Sequence, residues 1–171
     1  MPAPAAESVP AGILHDAIRE LGITHVVTVP DTHQKTLLAR LFDDGDIRVV
    51  TVATEDDAFG VTAGLYMGGA VPMMVIQQLG VFAGVNALRG IALDMNVPTL
   101  VLAGLFGRDV SKATSENRAR SVRLVEPLLD SLEVPHYAID GPDDVGLIRQ
   151  AFNESRARFG PVVVFVGAPT S

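Results

Sequence analysis

The chain has no cysteine and no tryptophan among its 171 residues, and only 5% of it is aromatic. Without cysteine there is no disulfide framework, no thiolate nucleophile and no cysteine-ligated metal. Charge is also sparse: Asp, Glu, Lys and Arg together make 19% of the residues, and twenty acids against thirteen bases leave −7 at pH 7. A chain of that sign repels nucleic-acid phosphates and anionic bilayers, so neither is an expected partner. No window approaches the ~20 apolar residues of a membrane span. The opening MPAPAAESVP lacks both the basic and the apolar regions of a secretory signal. A cytoplasmic protein is expected. What the sequence does have is apolar side chains: 48% of residues and a mean hydropathy of +0.32, which exclude disorder over most of the length.

Residues 1–7, rich in Ala and Pro and without periodicity, read as a flexible leader to a single domain over 8–171. Ser8 is placed to cap a helix whose apolar residues Ile13, Leu14, Ala17, Ile18 and Leu21 recur at helical spacing, and Gly22 ends it. The β-branched run Thr24–Val29 predicts a strand, after which Asp31 or Thr32 is the expected cap of a helix reaching Phe42. The alternation continues with strand Ile47–Ala53, helix Glu55–Met67, strand Val71–Ile76, helix Phe82–Leu93 and strand Thr99–Ala103. After Gly104 the regularity lapses as far as Arg118. A helix through Val122, Val125 and Leu132, strand His136–Ile139, helix Asp143–Phe159 and strand Val162–Val166 complete the chain. These strands are nearly continuous apolar runs, as strands covered on both faces must be. The pattern predicts a doubly wound α/β fold, a mostly parallel six-stranded sheet with helices on both faces.

Several motifs are missing. No G-x-G-x-x-G follows a strand, and there is no P-loop, no G-x-S-x-G elbow and no H-E-x-x-H. The usual dinucleotide, NTPase, serine-hydrolase and zinc-protease chemistries are thereby excluded. The four histidines, at 15, 25, 33 and 136, fall in four separate predicted elements without ligand spacing, so no metal site is predicted.

Open parallel sheets bind ligands beyond the carboxyl ends of their strands, which directs attention to four segments. The first, Pro30-Asp31-Thr32-His33, is dense in hydrogen-bonding groups. The second, Thr54-Glu55-Asp56-Asp57, complements a helix N-terminus; Glu55, directly after an apolar strand, is the acid expected to turn inward, where desolvation suits a proton-transfer group. The third, Gln77-Gln78-Leu79-Gly80, offers two amides and a glycine for uncharged hydrogen bonding and close backbone approach, while Asn86 downstream reads as a helix-surface residue. The fourth, Leu105–Arg123, carries Arg108, Lys112, Arg118, Arg120 and Arg123 against Asp109 and Glu116, a cationic stretch on an acidic chain.

Taken together, Pro30-Asp31-Thr32, the run from Thr54-Glu55 to Ala63-Gly64, Gln77-Gln78-Leu79-Gly80 and Val85-Asn86-Ala87-Leu88 resemble the pyrimidine-binding half of thiamine-diphosphate enzymes. The likeness is to the alpha subunits of sulfopyruvate decarboxylase and the matching region of phosphonopyruvate decarboxylase, over roughly Val9 to Val166. The resemblance implies a thiamine-diphosphate-binding fold and a 2-oxo-acid substrate. It further implies that Glu55 hydrogen-bonds the cofactor's aminopyrimidine and favours the imino form that takes the thiazolium proton. Gln77, Gln78 and Gly80 are then expected at the cofactor, and Asp31, Thr32 and His33 at the substrate. The family holds the diphosphate and Mg2+ with a Gly-Asp-Gly motif on a second domain. Here the nearest string, Asp44-Gly45-Asp46, is inverted and lies in a turn, so the resemblance implies a separate beta subunit that binds the metal, in assemblies of at least two pairs of chains. Two departures stand out. Relatives read glutamine-asparagine-serine-glycine where this chain has Gln77-Gln78-Leu79-Gly80, and an acidic, His-bearing stretch is replaced by Ser115-Glu116-Asn117-Arg118. The alternative from another class is a non-catalytic doubly wound subunit that binds a small ligand or stabilises another chain.

Overall fold

The computed structural model describes residues 8–171, so the leader expected over residues 1–7 lies outside the described residues. Strands and helices alternate as α1 (Ala11–Glu20), β1 (His25–Thr28), α2 (Lys35–Asp43), β2 (Arg48–Thr51), α3 (Glu55–Met67), β3 (Pro72–Gln77), α4 (Gln78–Ala83), α5 (Val85–Ala87), β4 (Thr99–Gly104), α6 (Arg120–Ser131), β5 (His136–Ile139), α7 (Leu147–Arg158) and β6 (Pro161–Val166). The six strands form one sheet in the order β2-β1-β3-β4-β6-β5, and every pairing is parallel. This is the predicted doubly wound α/β fold.

Side chains on successive strand positions face opposite ways, and that alternation divides the core in two. On one face Val26, Met73, Val75 and Leu102 meet Leu14, Leu37 and Ile148 of α1, α2 and α7. On the other, Val27, Met74, Ile76 and Val101 meet Phe59, Val81, Leu88 and Leu129 of α3, α4, the turn after α5 and α6. The residues of β3 from Pro72 to Ile76 and all those of β4 and β6 are buried, which is why those runs are uninterruptedly apolar.

The helix ends differ from the sequence reading in physically informative ways. Ser8 does not cap α1; the N-cap is Pro10, and the Ser8 hydroxyl donates to Ser171 instead. The C-terminal segment runs alongside, with Val9 and Thr170 bridged in parallel. Helix α2 begins at Lys35, with Gln34 as N-cap and no side-chain cap, so neither Asp31 nor Thr32 serves that purpose. Thr54 does cap α3, its Oγ1 accepting the Asp57 N–H at 3.3 Å. The helix expected from Phe82 starts four residues earlier, at Gln78, with no loop after β3. It is interrupted at Gly84 and ends in a π-helical turn at Leu88–Leu93. The helix expected from Asp143 begins as a 3-10 turn at Pro142–Asp144 and becomes α-helical only at Leu147.

The strand order places β1 between β2 and β3, so the chain steps from β1 to one side at β2 and then crosses back over β1 to the other side at β3. The carboxyl ends of β1 and β3 therefore flank the crevice in which folds of this topology bind ligands.

Candidate active site

Five of the seven residues singled out from the sequence meet at those strand ends in two groups, with Gln78 beside them and Thr32 at the rim. The first group is built on Asp31. Its carboxylate is 4% exposed and accepts three hydrogen bonds, from the backbone N–H of His33 at 2.9 Å, from Gln77 Nε2 at 2.9 Å and from Gln34 Nε2 at 3.1 Å. None of these donors carries charge, so the Asp31 carboxyl is held by neutral hydrogen bonds alone. Gln34 also donates to the Ile76 carbonyl at 2.8 Å, tying the loop after β1 to β3. The His33 imidazole donates from Nε2 to the Val166 carbonyl at 3.0 Å, and burial pushes its pKa below the ordinary value against the opposing pull of Asp31. Gly104 makes room for the group: a Cβ there would lie 2.9 Å from His33 Cδ2 and run into Asp31 Oδ2. Thr32 is exposed and opens onto a groove of about 410 Å³ along α2, with Pro30, Lys35, Leu38 and Phe42.

The second group is Glu55 and Gly80. Glu55 is the first residue of α3 and is half-buried, whereas Asp56 and Asp57 are exposed, so of the three acids it is the one that turns inward. Its side chain lies flat against Gly80: a Cβ on Gly80 would come within 2.5 Å of Oε1 and 2.8 Å of Cδ. No donor among the described residues reaches the Glu55 carboxylate. It is therefore a half-buried acid with free lone pairs over a patch of bare backbone.

Gln78 behaves differently from its neighbour. It is fully buried, its Oε1 accepts the Phe106 N–H at 2.9 Å, and its Nε2 donates to the Phe106 carbonyl at 2.8 Å and to Ser121 Oγ at 3.3 Å. The irregular segment after Gly104 is held at several such points. Asn117, 1% exposed, accepts from the Asp109 N–H at 2.6 Å and donates to the Ala113 carbonyl at 2.9 Å. Arg108 pairs with Asp140 in a space that only a glycine at 167 leaves open. The cationic stretch seen in the sequence is thus partly neutralised where it nears the strand ends. Asn86 is exposed and accepts from Arg89, as expected of a helix-surface residue.

Sequence reasoning missed Gln34, Gly104 and the Arg108–Asp140–Gly167 cluster. The signal for Gly104 was available as a glycine closing an apolar strand; Asp140 carries no local signal because Arg108 comes from another element, and Gln34, though three residues from Asp31, is fixed by the distant Ile76 carbonyl.

Residues 11–122 match the family described as thiamine pyrophosphate enzyme, N-terminal TPP binding domain. The chain belongs to this family. As a TPP-binding domain it is similar to sulfopyruvate decarboxylase subunit alpha of Methanococcus maripaludis, 28% identical over 156 residues, covering 91% of this chain and 92% of that one. The same subunit of Methanocaldococcus jannaschii is 27% identical over 131 residues, 77% of this chain and 76% of that one. Phosphonopyruvate decarboxylase of Streptomyces viridochromogenes is 28% identical over 137 residues, 80% of this chain but 34% of that longer one. Among solved structures, benzoylformate decarboxylase from Polynucleobacter necessarius superposes with a TM-score of 0.69 at 20% identity, over 92% of this chain and 29% of that one, a likeness of fold. The TPP-binding domain has no helix among its described residues long and apolar enough to cross a membrane.

Proposed function

We propose that the chain is the alpha subunit of a heteromeric, cytoplasmic, thiamine-diphosphate-dependent 2-oxo-acid decarboxylase of the sulfopyruvate/phosphonopyruvate kind, with residues 8–171 as its pyrimidine-binding domain. The observation that carries this reading is the half-buried, unpaired carboxylate of Glu55 set over Gly80 at the strand-end crevice. A planar heterocycle can approach bare backbone where a side chain would obstruct it, and a free carboxylate at its edge can accept a ring N–H. The site residues therefore fit the cofactor's pyrimidine. When bound, thiamine diphosphate supplies the carbon nucleophile and the electron sink for loss of carbon dioxide.

This chain's own residues hold and steer. Glu55 would hold the pyrimidine by accepting or giving a proton at its carboxylate, and its half-burial limits the water that competes there. Gly80 leaves the space that the Glu55 side chain fills and so sets where its carboxylate sits, and the backbone of Gln77 and Gln78 beside it would border the ring. Asp31, fixed by three donors, and His33, kept neutral by burial, with Thr32 at the rim, bound the substrate end.

One feature supports a partner subunit. From Ala58 to Ala70 the sequence has no charged residue, yet Gly60, Gly64 and Met67 of α3 are exposed. A helix apolar on all sides is normally covered, and this one starts at Glu55.

The test is Glu55→Gln in the assembled pair of subunits. Turnover of a 2-oxo acid should fall by about 10²-fold or more, the scale of lost acid–base catalysis, with assembly and melting temperature unchanged. Full activity in that variant would leave only a non-catalytic doubly wound subunit. Decarboxylation by the purified single chain would refute the need for a partner.

A further inference from the structure

Surface turns ordinarily leave their backbone to water, which satisfies it at little free-energy cost. The turn after β4 does not. Leu105 to Arg108 form a β-turn closed by the Arg108 N–H to the Leu105 carbonyl at 3.1 Å, with Gly107 at φ +80° in the third position, where a type II turn needs a positive φ. Phe106, in the second position, has both its backbone groups bonded by the fully buried amide of Gln78, at 2.9 and 2.8 Å, its N–H being shared with the Gly104 carbonyl at 3.0 Å. An internal side chain thus stands in for a strand partner and fixes one residue of an exposed turn.

That residue carries a phenyl ring that is 50% exposed. Its anchor, Gln78, is two residues from Gly80, against which Glu55 lies. Its own strand ends at Gly104, the residue over which Asp31 and His33 are seated and which is in register with Gln77. Phe106 is accordingly tied through Gln78 to the strand end that carries Gly80 and through Gly104 to the one that seats Asp31 and His33, and the site side chains Asp31, His33, Gln77 and Glu55 are all polar. Leaving an aromatic half in water forgoes burial, and dedicating a buried amide to its backbone is useful only if the ring's position matters.

We propose that Gln78 is a positioning residue that presents Phe106 as the apolar wall of the substrate end, so that Phe106 reads the size of the 2-oxo acid's side arm. The second half of this statement rests on the function proposed above; the first half does not.

Two measurements test it. Gln78→Met keeps the buried volume but removes both bonds to Phe106, leaving its N–H only the tight contact to the Gly104 carbonyl two residues back, and amide hydrogen exchange on the full chain should accelerate at Phe106 by at least tenfold while the β3 and β4 amides stay protected. Unchanged exchange at Phe106 would overturn the positioning role. Phe106→Ala, at a half-exposed site that does not threaten the fold, should raise kcat/KM for a 2-oxo acid with an aryl side arm relative to pyruvate by about tenfold in the assembled enzyme, the usual scale of discrimination by an apolar wall. An unchanged ratio would overturn Phe106 as the specificity determinant. If the wild-type assembly turns over no 2-oxo acid, the proposed function and the Phe106 assignment fall together, and the exchange result alone decides Gln78.

Discussion

Gly80→Ala is the most demanding test of the site because stability and activity should move independently. Gly80 is the third residue of α4, and alanine there gains about 1 kcal/mol of helix propensity over glycine. Against that, the new methyl would run into Glu55 Cγ and lie 2.5 Å from Oε1 and 2.8 Å from Cδ, where contacts between such atoms normally begin near ~3.4 Å. The gap to be made up is roughly 1 Å. Glu55 is a surface-proximal side chain at a helix start and can yield by rotation, at about 0.5–1.5 kcal/mol for an off-rotamer angle. The two contributions nearly cancel, so the melting temperature should change by less than ~4 °C. A displacement of 1 Å at a reacting group, however, costs on the order of 10²-fold in rate. Thermal melting and steady-state kinetics of the assembled enzyme should therefore show an intact fold with about 1% of activity. An active Gly80→Ala would refute the claim that Glu55 works from this position, and an unfolded one would show that Gly80 serves packing rather than the site.

Other consequences can be checked alongside. Gly84→Ala would place a Cβ 2.9 Å from Phe59 Cε2, and the rigid buried ring cannot yield as Glu55 can, so chemical denaturation should show a loss of about 1–3 kcal/mol. Gly104→Ala should displace Asp31 and His33 together, raising KM for the 2-oxo acid while leaving cofactor affinity near wild type. Two windows of pH dependence follow from depressed proton affinities, both lowering stability on acidification. His33 is held neutral, so its contribution is complete above ~6.5 and fades as the pH falls; the slope in that window should vanish in His33→Gln, as read by melting across pH 7 to 5. Asp44, whose carboxyl is lowered to about 2 by the Asp46 backbone N–H with help from Arg19 and His15, contributes above ~4 and loses that contribution as the pH drops towards 2, so wild type and Asp44→Asn should converge there.

The features legible in the sequence were those encoded within one element. The apolar run from Met73 to Ile76 announced a central parallel strand, and Thr54 with its three following acids announced the start of α3, because cap and dipole effects are local. Glu55 could be singled out because it opens a helix directly after a β-branched run, although that run, β2, proves to be a half-exposed edge strand rather than a buried one. Asp31 was located but misread as a helix cap: besides the His33 N–H its donors are the side chains of Gln34 and Gln77, the latter 46 residues away. Gln78 shows the same limit. Beside Gln77 in sequence, the two amides look equivalent, yet the turn from strand to helix between them sends Gln77 to Asp31 and Gln78 to Phe106. The early start of α4 was hidden for a related reason, since Gln78, Leu79 and Gly80 have no helical signature of their own and are helical because Gln78 and Val81 are buried against the rest.

Helix α3 runs unbroken through 13 residues, a rod of roughly 20 Å with Glu55 at one end and Met67 at the other. A rod of that length acts as a lever: tilting it by about 3° about the Met67 end swings Glu55 by roughly 1 Å. Any surface seated along Gly60 and Gly64 therefore sets the aim of the carboxylate, and loosening that seat would detune the chemistry well before the two bodies came apart.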